Sequence, residues 1–218
     1  MEKFILSTLS LEQLKRFVNL QTLGIADYEW TQVDSLTLLE KEQRRLQDIN
    51  SDLIYSSVHL MNEATLLARA IYPMLLLAER PPIQAWAEIA LQAQYPQFKI
   101  EGVADGILAK SSAGILEFPY LVVVEAKRGI EGQNPVVQLY GQLLAAAHFN
   151  WKTAGQLPQE IFGCYTIADI WTFVRAEVDK IDSDLPTMCV EFTREYDQKY
   201  DAERILKILK RIVAKATA

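Results

Sequence analysis

The stretch Leu121-Val-Val-Val-Glu-Ala-Lys127 constrains this chain more than any other. Four consecutive apolar residues, three of them β-branched, predict a strand buried on both faces. The run then breaks into Glu125-Ala126-Lys127, followed by Arg128-Gly129. Side chains alternate across a strand, so Glu125 and Lys127 project from the same face. A carboxylate and an ammonium at the end of a buried strand are costly unless they pair or bind something. Upstream, Val103-Ala-Asp105-Gly-Ile-Leu108 sets a lone acid in a second apolar segment. Two neighbouring strands that each carry an acid, one backed by a lysine, point to a site for a hard divalent cation.

Half of the 218 residues are hydrophobic, enough for one large core, or a core with a helical appendage. The net charge of −6 gives no global positive field, which argues against a non-specific nucleic-acid coat. An enzyme that grips phosphates locally, through metal ions and a few Lys and Arg, stays open. Cys164 and Cys189 sit apart in apolar contexts and read as buried free thiols, without the partners of a disulfide framework or a zinc site. The opening Met1 to Ser10 has too short an apolar run for a signal peptide, and nothing reaches the ~20 apolar residues of a membrane span. The expectation is a soluble, cytoplasmic protein with no membrane partner.

Along the chain, Ser10 is placed to cap a helix over residues 11–20, and Gly24 ends the local element. Residues 37–78 are patterned as helix. A break or cap at Ser51-Asp52 would precede a second helix with Ile54, Val58, Met61, Thr65 and Ala68 on one stripe. Glu63 lies in that helix and, taken alone, reads as a solvated residue. Arg80-Pro81-Pro82 stops the chain, and residues 83–94 permit strand or helix. Residues 99–110 predict a strand, 111–114 a turn, and 119–127 the return strand of an antiparallel hairpin. A loop over 130–134 leads into a helix from Pro135 or Val136 to about Asn150, with Gln138, Tyr140, Gly141 and Gln142 in its first turns. Strands are expected at 161–167, 170–176 and, as an edge, 188–193. A basic amphipathic helix over 201–216 closes the chain, its Lys and Arg run a solvated face. His59 and His148 offer no nucleophile pairing.

In this order the chain resembles the PD-(D/E)XK nuclease superfamily, with its restriction-endonuclease-like fold. Asp105 in Gly102-Val-Ala-Asp-Gly106 carries the resemblance, with Glu125-Ala126-Lys127 at the end of Val122-Val-Val124. Gln138 opens the following helix, and Glu63 occupies the helix before the sheet. The likeness covers roughly residues 50 to 176. Two features depart from it. No Pro precedes Asp105, and Gln142 stands where some nuclease relatives carry a Tyr four residues after the Gln, with Tyr140 nearby.

The resemblance implies an α/β fold of the α+β kind, in which a central mixed β-sheet is flanked by helices. A single domain would comprise an N-terminal helical extension (1–50), a nuclease-like core (51–176) and a C-terminal strand and amphipathic helix (177–218). It also implies Mg²⁺-dependent hydrolysis of DNA phosphodiesters, with Mn²⁺ as a substitute. Asp105 and Glu125 would ligate the metal, with the Ala126 carbonyl a third ligand and Glu63 reaching it directly or through water. Lys127 would orient or deprotonate the attacking water, or stabilise phosphoryl oxygens, and Gln138 would orient its neighbours. Each residue also has a plainer reading: Glu125 and Lys127 as an ion pair at a strand end, Asp105 as a turn residue before Gly106. The competing function is a non-catalytic protein that uses the same fold for binding or assembly. A homodimer suits two cuts on a duplex, and a partner subunit could supply DNA affinity.

Overall fold

Ala113 and Gly114 both take positive φ, 51° and 80°, the geometry of a two-residue hairpin turn whose twist matches that of the flanking strands. They join β4 (Phe98–Ser112) to β5 (Ile115–Lys127), so the hairpin is longer and its connection tighter than the sequence suggests. The computed structural model describes residues 1–129 and 134–216. The expected loop over 130–134 therefore falls, for 130–133, outside the described residues.

Around that hairpin runs a nine-stranded mixed sheet in the order β1-β4-β5-β6-β7-β8-β2. Here β1 is Glu2–Ile5, β2 Asn19–Ile25, β6 Gln159–Ile167, β7 Ile170–Asp179 and β8 Thr187–Phe192. β3 (Ile83–Gln94) pairs with β4, and β9 (Tyr196–Asp197) with β7. The ambiguous segment at 83–94 is thus a strand. The segment at 188–193 is not an edge: β8 lies between β7 and β2. The first fifty residues are likewise not a purely helical extension, because β1 and β2 both join the sheet in parallel pairings. Asn19 to Ile25 carries little strand signal, because only Leu20, Leu23 and Ile25 are apolar and most of this outer strand is exposed.

Helices cover both faces. On one side α5 (Pro135–Ala154) packs with α1 (Leu11–Phe17) over Ile100, Ala104, Ile107 and Val123. Ser10 caps α1 in a reciprocal pair with Gln13, as its position predicts. On the other side lie α2 (Glu40–Ile54), α3 (Glu63–Leu66), α4 (Tyr72–Ala78) and α6 (Gln198–Lys215), over Leu108, Val122, Val124 and Phe173. α2 runs straight through Ser51-Asp52, and the break comes later, where Asn62 caps α3. A π turn at Leu67–Ile71 joins α3 to α4 without a break, and Pro73 follows it as the second residue of α4. The basic run of α6 is engaged by acids: Arg204 meets Asp34, Lys207 meets Glu203, Lys210 meets Glu42 and Lys215 meets Glu160. No described helix is long and apolar enough to cross a membrane.

Candidate functional site

The sheet splits at Asp105. β3 pairs with β4 along its whole length, so β1 and β5 must share the opposite side of β4. β1 ends its pairing at Ile5↔Glu101, and β5 begins at Gly106↔Val124. Residues 102–105 of β4 lie between those two partners, where backbone polar groups must find other bonds. The Val103 carbonyl accepts the Gln142 amide at 3.3 Å, and the Ala126 N–H donates to Asp105 Oδ2 at 2.6 Å. The inward–outward alternation also slips here. Ala104 and Ile107 both belong to the core under α5, whereas an added Cβ at Gly106 would meet Leu75 on the other face. Across on β3, Glu88 adopts φ 52° and sits between the register pairs Ala87↔Gly106 and Ile89↔Ala104, opposite Asp105.

Glu125 and Lys127 share the α5 face of β5, as the alternation requires. Glu125 is 0% exposed. Its Oε2 accepts from Gln138 Nε2 at 2.8 Å and from Gln142 Nε2 at 2.6 Å. Its Oε1 lies 2.8 Å from Lys127 Nζ but has no aligned hydrogen-bond donor. Glu63, at the first position of α3, reaches the same ammonium from the opposite helical layer, at 3.9 Å and with its side chain 55% exposed. All five residues singled out in the sequence therefore meet, with Glu63 on the outside. Ala126 contributes its N–H to Asp105, and its methyl group packs into the core under α4 and α6.

The electrostatics follow from this geometry. Burial, then the charge of Asp105, push the Glu125 carboxyl up to about 7, while Lys127 and Gln142 pull it back only in part. Burial likewise raises Asp105, helped by Glu63 and Glu88 and opposed by the Ala126 N–H and Lys127. Burial alone would lower Lys127, but its bond to Glu125 and the charges of Glu125, Glu63 and Asp105 raise it instead. One ion pair thus favours the ammonium and fails to rescue the carboxylate. Lys127 faces three acids, whereas Glu125 is fully buried and faces another acid.

Acceptors outnumber donors. Gln142 Oε1 is buried without a hydrogen bond, and Glu125 Oε1 has only its ion pair with Lys127. Gln142 cannot turn its amide over to help, since its oxygen would then face a carboxylate and a carbonyl. Such an all-oxygen surplus suits a hard cation, with Asp105 and Glu125 as its holders. Among the described residues, no group of three or more His, Cys, Asp or Glu lies close enough to hold a metal, so water or substrate would have to complete the shell. The histidines stand apart: His59 is exposed on a turn, and burial lowers His148, which packs against Tyr95 and Trp151. The cysteines are free.

Two neighbours of this site lie outside the five residues that the sequence singles out. Gln142 has a readable signal: four residues after Gln138, it must share that residue's helix face. Glu88 has none, since nothing in Trp86 to Ala90 announces a left-handed residue inside a strand. Against known proteins, no family profile matches this chain and no curated protein is significantly similar to it.

Proposed function

We propose that this chain is a Mg²⁺-dependent nuclease of the PD-(D/E)XK kind, built on a restriction-endonuclease-like core and acting on DNA. The observation that carries the reading is the convergence of Asp105, Glu125 and Lys127 at the sheet split, with Ala126 N–H on Asp105 at 2.6 Å and Lys127 on Glu125 at 2.8 Å. The element order supports it too: α3 and α4, then β3, β4, β5, α5 and β6, with the acids on adjacent strands and Gln138 on the next helix. Asp105 and Glu125 would hold the cation, which would supply Lewis acidity toward the phosphodiester and a more acidic bound water. Glu125 is held for this by two amides on one oxygen, leaving Oε1 toward Lys127. Lys127 has three N–H donors on a flexible stem, so an ammonium bonded to Glu125 can still reach a phosphoryl oxygen or the incoming water. Plasmid nicking in Mg²⁺ or Mn²⁺, with Lys127→Ala as control, tests the reading. A wild-type rate no greater than that of Lys127→Ala would refute it.

A second reading keeps the fold and drops the chemistry: a binding or assembly subunit, alone or as a homodimer. What favours it is the acidity around the opening, where exposed Glu63 and Glu88 join a chain of net charge −6. Calorimetric titration of Mn²⁺ into wild type and Asp105→Ala separates the two, because only a working site loses heat with Asp105.

A further inference from the structure

We propose that Gln142 is a positioning residue that sets the separation of Asp105 and Glu125; this rests on reading the site as a cation site. Gln142 is 0% exposed, and its Nε2 bonds both strands where they part. One bond goes to Glu125 Oε2 on β5, the other to the Val103 carbonyl on β4, two residues before Asp105. That carbonyl lies in the stretch between β1 and β5, so the side-chain amide stands in for the missing ladder bond. Gln138 differs. Among the described residues it bonds Glu125 alone, and so fixes that carboxylate's orientation without tying it to β4.

Packing beside Gln142 keeps the bridge short. The Leu6 side chain fills the space where a Cβ on Gly102 or on Gly141 would go, reaching within 2.5 Å of the Gly102 position. Gly102 precedes Val103, and Gly141 precedes Gln142. One leucine therefore braces strand and helix at the residues just before the bridge. With both N–H groups of Nε2 committed, Gln142 Oε1 is left buried without a donor. A water carried with a bound cation would supply the donor this oxygen lacks.

The test is calorimetric titration of Mn²⁺ into wild type, Asp105→Ala, Gln138→Met and Gln142→Met, with each metal-free protein melted in parallel. Gln142→Met keeps the length and removes the amide. The expected result is a Kd raised about tenfold in Gln142→Met and two- to threefold in Gln138→Met, with Asp105→Ala silent. A residue that only supports the fold would lower the melting temperature and leave the Mn²⁺ Kd unchanged, which overturns the proposal. Equal losses in the two glutamine variants overturn the role of the Val103 bridge. A silent wild type overturns the cation site and this proposal together, a pattern distinct from wild type and Gln142→Met binding alike. Should Gln142→Met not fold, Gln142→Asn, whose amide is too short to span both acceptors, is held to the same expectation.

Discussion

Two clusters of charge sit on this sheet, and they are built in opposite ways. At the split, Asp105, Glu125 and Glu63 face the single base Lys127. On β6, β7 and β8, Arg175 meets Glu160 at 2.6 Å, Glu191 at 3.1 Å and Glu177 at 3.5 Å, with Lys215 on Glu160 at 2.7 Å. Trp30 Nε1 completes this second cluster by donating to Glu191 Oε2 at 2.7 Å. There, every oxygen of Glu160 and Glu191 has a donor, although a cleft of about 610 Å³ lies beside it. At the split, Gln142 Oε1 is buried with no donor, and Glu125 Oε1 has only an ion pair with Lys127. Charge density and cavity size do not separate a site from a scaffold in this molecule. What differs between these two clusters is the balance of donors and acceptors.

The sharpest way to break this contrast is to neutralise one acid in each cluster. Asp105→Asn should lower Mg²⁺-dependent nicking by on the order of 100-fold or more. It should also raise the metal-free melting temperature by roughly 2–4 °C, because Asn still accepts the Ala126 N–H and sheds a half-buried charge beside Glu125. Glu160→Gln should do the reverse, leaving nicking within about twofold and costing about 1 kcal/mol of stability. If both variants lost stability and neither lost activity, the two clusters would be the same kind of object.

The packing beneath the split gives the next largest effect. Gly102→Ala forces a Cβ to within 2.5 Å of Leu6 Cβ, which is no flexible tip, so a cost of about 2–4 kcal/mol is expected in denaturant melts. Leu6→Ala alone removes a fully buried leucine and should cost roughly 2–5 kcal/mol. The double variant should cost less than the sum, since each change makes room for the other. Strict additivity would mean that Leu6 does not brace the split.

Much of this is legible in the sequence, and the gaps have physical causes. Leu121 to Lys127 carries its own strand signal, and alternation alone puts Glu125 beside Lys127. Asp105 was visible as an acid in an apolar run, but its approach to Ala126 depends on β5 leaving β4 at one residue, which no periodicity records. β1 and β2 were hidden for another reason. They are short or mostly exposed, so their partners, β4 and β8, supply what their own residues do not signal. The Leu6 brace needs three residues far apart in sequence to meet. Only the two glycines hinted at a close approach.

The clusters should also respond to pH with opposite sign. Burial would raise Glu160, but its bonds to Lys215 and Arg175 hold it below the ordinary value of 4.5. A depressed carboxyl adds stability above 4.5 that is lost as pH falls through its folded value, so the wild-type advantage over Glu160→Gln should close in acid. Glu125 rises from 4.5 to about 7. The fold therefore prefers it protonated, and metal-free stability should fall as pH climbs from 4.5 toward 7. Glu125→Gln should flatten that slope and leave the acid limb of the Glu160 cluster in place, as read by melts in chelator across the range.

The smallest effect is the most discriminating, because it compares two exposed acids at similar distances from a base. Glu63 lies 3.9 Å from Lys127 Nζ, and Glu177 lies 3.5 Å from Arg175. Their side chains are 55% and 46% exposed, so removing either charge should change stability by no more than about 0.5 kcal/mol. Arg175 keeps Glu160 and Glu191, and Glu177→Gln should leave nicking unchanged. Among the described residues, Lys127 keeps only Glu125 as a close partner, and that carboxylate is the one a cation would claim. Glu63 is then what holds the ammonium toward the opening, and Glu63→Gln should slow nicking three- to tenfold at unchanged melting temperature. A Glu63 variant as active as the Glu177 variant would confine the working site to Asp105, Glu125 and Lys127, and α3 would merely border it.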